Sequence, residues 1–118
     1  LYPEPNLFGV DVREQAVVEM WTRRCEFYLA NPMMLTVRFT HPAISMLEAT
    51  QMPQVADFNK ATAERFMKTL DRQLATREFI AGDRFTIADV VSVVGLDFAR
   101  LIKYRLPEGL ENLSRWYE

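Results

Sequence analysis

The stretch from Phe79 to Asp89, Phe-Ile-Ala-Gly-Asp-Arg-Phe-Thr-Ile-Ala-Asp, leaves the chain little choice of local structure. Gly82 and Asp83 are turn formers. Thr86 suits a helix N-cap, where its side-chain oxygen can accept from the free backbone N–H three residues on. The carboxylate of Asp89 can reach back to the Thr86 N–H, so Thr-x-x-Asp reads as a capping box. Phe85 just before the cap and Val90 in the first full turn have the spacing of a hydrophobic staple. All of these signals start one helix at one place.

Behind that start runs Ile87, Ala88, Val90, Val91, Val93, Val94, Leu96, Phe98, Ala99, Leu101 and Ile102. A helix apolar on most of its circumference belongs in a core. A Val-rich run also suits a buried strand, but the cap and the length decide for helix. Gly95 inside it costs about 1 kcal/mol against Ala, which implies a close approach by a neighbouring helix. The expectation is a central, buried helix.

This stretch resembles the capping-box segment of the C-terminal helical domain of cytosolic glutathione transferases. There an aromatic-Ile-Ala-Gly-Asp turn followed by Thr-Ile-Ala-Asp opens the central helix, and Phe79 to Asp89 matches without a gap. The opening Leu-Tyr-Pro-Glu-Pro-Asn-Leu-Phe-Gly also resembles the interdomain linker of bacterial members. The resemblance implies an all-α helical bundle, with residues 1–10 as linker and 11–118 as the domain. It also implies an upstream thioredoxin-like domain that this chain does not contain. Leu1 and the end at Glu118, inside a helical pattern, lead us to expect that both ends are cut from a longer protein.

The other helices follow from caps and periodicity. Asp11 is an N-cap with Glu14 three residues later. Val17, Val18, Trp21, Cys25 and Tyr28 form the expected core stripe of the first helix, and Glu19 and Arg23 an i,i+4 pair on its surface. Pro32 is expected to end or kink that helix at Ala30 or Asn31, with a short piece continuing through Met34, Val37 and Phe39. The segment from His41 to Pro53 reads as irregular or weakly helical. A long helix from about Gln54 to Arg77 carries the stripe Val55, Phe58, Thr62, Phe66, Leu70 and Leu74, with Glu64 and Lys68 paired outside. Pro107 and Gly109 break the chain before a last helix with Leu110, Leu113, Trp116 and Tyr117. No alternating strand pattern competes, so the fold expected is an all-α bundle.

Composition narrows the function. The 118 residues are 49% hydrophobic, enough for one domain with a core. A net charge of -2 with scattered basic residues argues against a nucleic-acid surface. No run approaches the ~18 apolar residues of a membrane span, and no signal pattern opens the chain. The lone cysteine, Cys25, cannot form an internal disulfide, so a reducing, cytoplasmic setting is expected.

Few residues look chemical. Asp89 has a complete structural role as a cap and needs no catalytic one. Asp97 and Arg100, within the same helix, are expected first to pair as buried charges with another helix, and otherwise to lie on a solvated face. His41, the only histidine, has no ligand set around it, so no metal site is expected. Cys25 sits on an apolar stripe and reads as a packed thiol. Arg23-Arg24 is read first as two solvated cations. The alternative places Arg24 with Met20 and Phe27 on a pocket wall, since Met and aromatics suit adaptable apolar sites.

The resemblance adds roles that spacing does not. It implies a glutathione transferase in which this domain supplies the pocket for an apolar electrophile, with Met20, Trp21, Arg24 and Tyr28 as candidate lining residues. Glutathione is the implied co-substrate, bound mainly by the upstream domain, which also supplies the thiol-activating residue. In the implied homodimer, Arg13 or Glu14 contacts glutathione of the partner subunit. Detoxification is the implied purpose. The competing expectation is a non-catalytic interaction module, because the same fold also docks protein partners and a fold does not fix function.

Overall fold

A computed structural model describes residues 7–40 and 51–117. Its helices are α1 (Val12–Cys25), α2 (Asn31–Arg38), α3 (Pro53–Leu74), α4 (Ile87–Phe98) and α5 (Glu111–Tyr117). Among the described residues there is no strand, and the all-α reading holds. His41 and the patch Ile44, Met46 and Leu47 lie outside the described residues.

Pro32 does not end the first helix. Between α1 and α2 the chain makes a π-helical turn, Glu26–Ala30, and runs on. The Asn31 N–H there donates to Glu26 O, five residues back. In a regular α-helix the proline ring would meet the carbonyl four residues before it. The wider π turn gives the ring room, and Pro32 is buried.

The same turn corrects the core stripe. The buried line is Val18, Trp21, Cys25, Leu29, Met33 and Val37. Its last members are four residues apart, a step that drifts 40° each time in an α-helix. The π turn takes part of that drift back and holds one line facing the core. Tyr28 is instead 50% exposed and Val17 37%. The α1–α2 rod packs on α3 along one side and on α4 along another.

Helix α3 stops at Leu74, short of Arg77, and its stripe is Ala56, Ala63, Phe66, Met67, Leu70 and Leu74. Phe58, expected inside, is 71% exposed. The small Ala56 faces α2 instead, where the Thr36 hydroxyl reaches its carbonyl. Glu64 accepts the Tyr104 hydroxyl at 2.7 Å, and no ion pair joins it to Lys68.

Helix α4 starts as its sequence demands. The capping box closes, with the Thr86 N–H donating to Asp89 Oδ2 at 2.9 Å. Leu7 O accepts the Ile87 N–H, so the segment before α1 helps to cap α4. Phe85, the expected staple residue, meets the ring of Phe79 edge-on, with centroids 6.0 Å apart; Val90 is half-buried. Asp89 also accepts the Ile80 N–H at 3.0 Å and the Trp116 indole N–H at 2.7 Å, both on Oδ1. One carboxylate thus fastens the 79–82 turn, the start of α4 and α5 together, and it is fully buried.

Gly95 meets the expected close neighbour. A Cβ there would lie 2.8 Å from Ala30 Cα, so α4 crosses the π turn backbone to backbone. The burial of α4 is one-sided, however. Ala88, Ser92, Gly95 and Leu96 face inward, while Val94 is 61% exposed. From Ala99 to Ile102 the helix tightens to 3-10 geometry. Asp97 and Arg100 pair on the surface at 3.8 Å, not in the interior.

Helix α5, beginning at Glu111, docks by exchanging caps with α3. Asp71 accepts the Leu113 N–H, and Arg115 donates to the Leu74 and Arg77 carbonyls near the end of α3. Side chains thereby satisfy backbone groups left free at both helix ends.

Candidate functional site

The outer faces of α1 and α3 enclose a groove of about 410 Å³, lined by Arg24, Tyr28, Thr62, Arg65, Phe66 and Thr69. Arg24 is on the last turn of α1, and the π turn swings Tyr28 outward to join it. The Arg24 guanidinium lies 4.4 Å from the Trp21 ring centroid and 5.6 Å from that of Phe66. The rings of Tyr28 and Phe66 are 5.6 Å apart. A cation held on aromatic faces is attracted by their quadrupoles and keeps its outward N–H donors free. Arg24 and Arg65 form no ion pair among the described residues. The groove offers positive charge, aromatic surface and threonine hydroxyls, which suits a ligand with an apolar body and an electron-rich group.

The four candidate pocket residues separate. Arg24 and Tyr28 line the groove, and buried Trp21 backs Arg24 from within. Met20 is 45% exposed and outside the lining, as is Phe27. Arg23 pairs with Glu19 at 2.7 Å and with Glu26, as a solvated cation should.

At the other end of α1, about 16 Å along the axis by helical rise, Arg13 is exposed. Asp11 caps as expected, accepting the Glu14 N–H at 2.7 Å. Glu14 returns the bond to the Val10 N–H, one residue earlier than a standard box, and pairs with Arg84. Its carboxylate is therefore engaged within the chain.

Cys25 behaves as a packed thiol. It is fully buried, and burial pushes its pKa up to about 11, against the opposing hydrogen bond with Ser92. A thiol so raised is a poor nucleophile at neutral pH.

Periodicity alone missed the α3 half of the groove. Thr62, Arg65, Phe66 and Thr69 are three or four residues apart on one helical face, a visible signal. Once Thr62 and Phe66 are assigned to the core, nothing marks Arg65 and Thr69 as their neighbours on a groove.

A rod of α1 and α2 between α3 and α4, opened by a capping box on a Gly-Asp turn, defines the helical half of a glutathione-transferase-type protein. The sequence matches the family model "Glutathione S-transferase, C-terminal domain" over residues 40–118, and the chain belongs to that family. It is similar to Glutathione S-transferase 2 of Saccharomyces cerevisiae, 30% identical over 117 residues, covering 97% of this chain and 49% of that protein. Glutathione S-transferase F11 of Arabidopsis thaliana is 24% identical over 119 residues, covering 95% of this chain and 53% of that protein. The chain spans about half the length of these curated relatives. Among solved structures, Gtt2 from Saccharomyces cerevisiae superposes with a TM-score of 0.86 at 30% identity, covering 94% of this chain and 54% of the other. A glutathione S-transferase domain-containing protein of Marinobacter aquaeolei VT8 gives 0.84 at 33% identity, with 99% and 58% covered. No helix among the described residues is long and apolar enough to cross a membrane.

Proposed function

We propose that this chain is the substrate-pocket half of a cytoplasmic, dimeric glutathione transferase that conjugates glutathione to apolar electrophiles as a detoxification step. The observation that carries this reading is the α1–α3 groove, with Arg24 held on Trp21 and Phe66 beside Tyr28. In the reaction, the glutathione thiolate forms a carbon–sulfur bond to the electrophilic carbon, and the leaving group departs with its electron pair. The thiol proton passes to a group of the upstream domain. This half orients the electrophile, lowering the entropic part of the barrier. Arg24 faces the electron-rich nitro or halide substituent, while Phe66 and Tyr28 flank the ring. Arg13, exposed at the start of α1, is the residue positioned to meet glutathione of a partner subunit.

The test is conjugation of glutathione to 1-chloro-2,4-dinitrobenzene by the full gene product. Turnover is expected, and Arg24→Ala should raise the KM for the aromatic substrate about tenfold, the loss of roughly 1.4 kcal/mol, with the KM for glutathione little changed. A full-length protein that neither turns over nor binds immobilised glutathione would overturn the proposal and leave the interaction module as the reading.

A further inference from the structure

The positive charge of the α1–α3 groove is left unanswered by the chain around it. Arg65 on α3 is exposed and lines the groove with Arg24. Neither guanidinium joins an ion pair among the described residues. The carboxylates of both helices are engaged elsewhere or distant. On α1, Arg23 takes Glu19 at 2.7 Å and Glu26 at 3.2 Å, and Glu14 pairs with Arg84. On α3, Glu64 accepts the Tyr104 hydroxyl at 2.7 Å, and Asp71 accepts the Leu113 N–H at 2.9 Å. Asp57 lies eight residues before Arg65, about 12 Å along the helix axis.

The groove face of α3 carries Thr62, Arg65, Phe66 and Thr69, and α1 adds Arg24 and Tyr28, so no acid lines it. One step further along that face, Arg72 donates to Thr69 Oγ1 at 3.4 Å and brings a third cation to the rim. Arg24 is braced on the rings of Trp21 and Phe66, which sets its position before a ligand arrives. Like charges around one groove repel each other. A neutral electrophile leaves that repulsion in place. An anionic group relieves it, and a guanidinium can give a carboxylate two parallel, charge-assisted hydrogen bonds.

We propose that Arg65 is a specificity-determining residue of the groove, and that with Arg24 it selects electrophiles whose apolar body carries a carboxylate. The inference rests on the conjugation reading and narrows its substrates from apolar electrophiles in general to anionic ones. The glutathione thiolate forms the carbon–sulfur bond, the leaving group departs with its electron pair, and the carboxylate passes through unchanged. Its part is recognition. Arg65 takes the carboxylate, Phe66 and Tyr28 take the body, and Arg24 takes the electron-rich substituent. A groove of about 410 Å³ is of a size for such a molecule.

The experiment compares 4-chloro-3,5-dinitrobenzoate with its methyl ester as substrates of the full gene product. The two share the reacting carbon and the chloride leaving group and differ by one charge. The quantity read is the ratio of kcat/KM for the benzoate to that for the ester, each variant against the parent, so that intrinsic reactivity cancels. Arg65→Gln should lower this ratio about tenfold, through the loss of one charge-assisted contact. Arg65→Lys keeps the charge and should recover a large part of the loss. Lys68→Gln removes the same charge from the same helix outside the groove, and should change the ratio less than about twofold. An unchanged ratio in Arg65→Gln would overturn the proposal and leave conjugation standing. An equal loss in Lys68→Gln would also overturn it, because general surface charge would then be the cause. No turnover of either substrate by the parent would overturn the conjugation reading and this proposal together.

Discussion

At its first turn α4 sets a fully buried carboxylate against three parts of the chain, whereas at its last it tightens to 3-10 geometry and closes on an exposed lysine. The same helix therefore carries two kinds of polar structure. Around Asp89 the donors are an amide, an indole and the N-cap threonine, all bound to a carboxylate removed from water, where an unmade bond is expensive. Around Asp97 the partners are Arg100 and Tyr117, half in solvent, where water replaces a lost bond cheaply. Polar groups of similar type fix the fold at one end and leave charge available at the other.

The largest effect that could break this contrast is Asp89→Ala. It would orphan the buried Ile80 N–H and the Trp116 indole N–H, and remove the cap. At about 1–3 kcal/mol for each orphaned donor and ~1 for the cap, the expected loss is about 4 kcal/mol, read by urea unfolding. A loss under ~1 kcal/mol would reduce Asp89 to an ordinary surface cap.

Next comes alkaline stability. Cys25, near the same end of α4, has a folded pKa of about 11 against an ordinary 9.0. Its folded value is raised, so its contribution is fully present below pH 9 and is lost as pH rises toward 11. The loss should reach roughly 2 kcal/mol by pH 11. Stability measured from pH 8 to 11 should fall more steeply in the parent than in Cys25→Ala. Parallel curves would show that the thiol ionises as easily folded as unfolded.

At the other end, Lys103→Gly should raise stability by about 1 kcal/mol by removing the left-handed strain, and the melting temperature would rise. A fall would mean that the lysine side chain itself stabilises this turn, where Lys103 has φ 58°. Smallest is Asp97→Ala, expected to cost ~0.5 kcal/mol as exposed pairs do. A cost approaching that of Asp89→Ala would erase the distinction between the two ends.

The sequence made the local chemistry of α4 readable. A Thr-x-x-Asp cap and a glycine at a helix crossing each have a nearby cause, and both stand in the structure. The α1 cap at Asp11 and the Glu19–Arg23 pair were readable for the same reason. Long-range relations were not. That Trp116 would reach Asp89 across 27 residues has no signature in either segment. The groove was half legible: Arg24 and Tyr28 could be named, but their partners on α3 depend on a packing phase that Ala56, not Phe58, sets. Tyr28 was assigned inward because a 3.6-residue period was carried through a turn that does not keep it.

That turn fixes the length of the chain as well as its direction. Insertions and deletions are usually absorbed by loops, but the segment Glu26–Ala30 is a helix with one residue more than a regular turn would hold. Removing any one of those five residues would restore ordinary winding and bring the Pro32 ring against a carbonyl. It would also turn Leu29 or its successor, Met33 and Val37 by about 100° relative to Val18 and Cys25. Sequences that share this domain should therefore vary freely in residue type on the outside of the turn at Phe27, which lines no groove, while keeping the count between Cys25 and Pro32 unchanged.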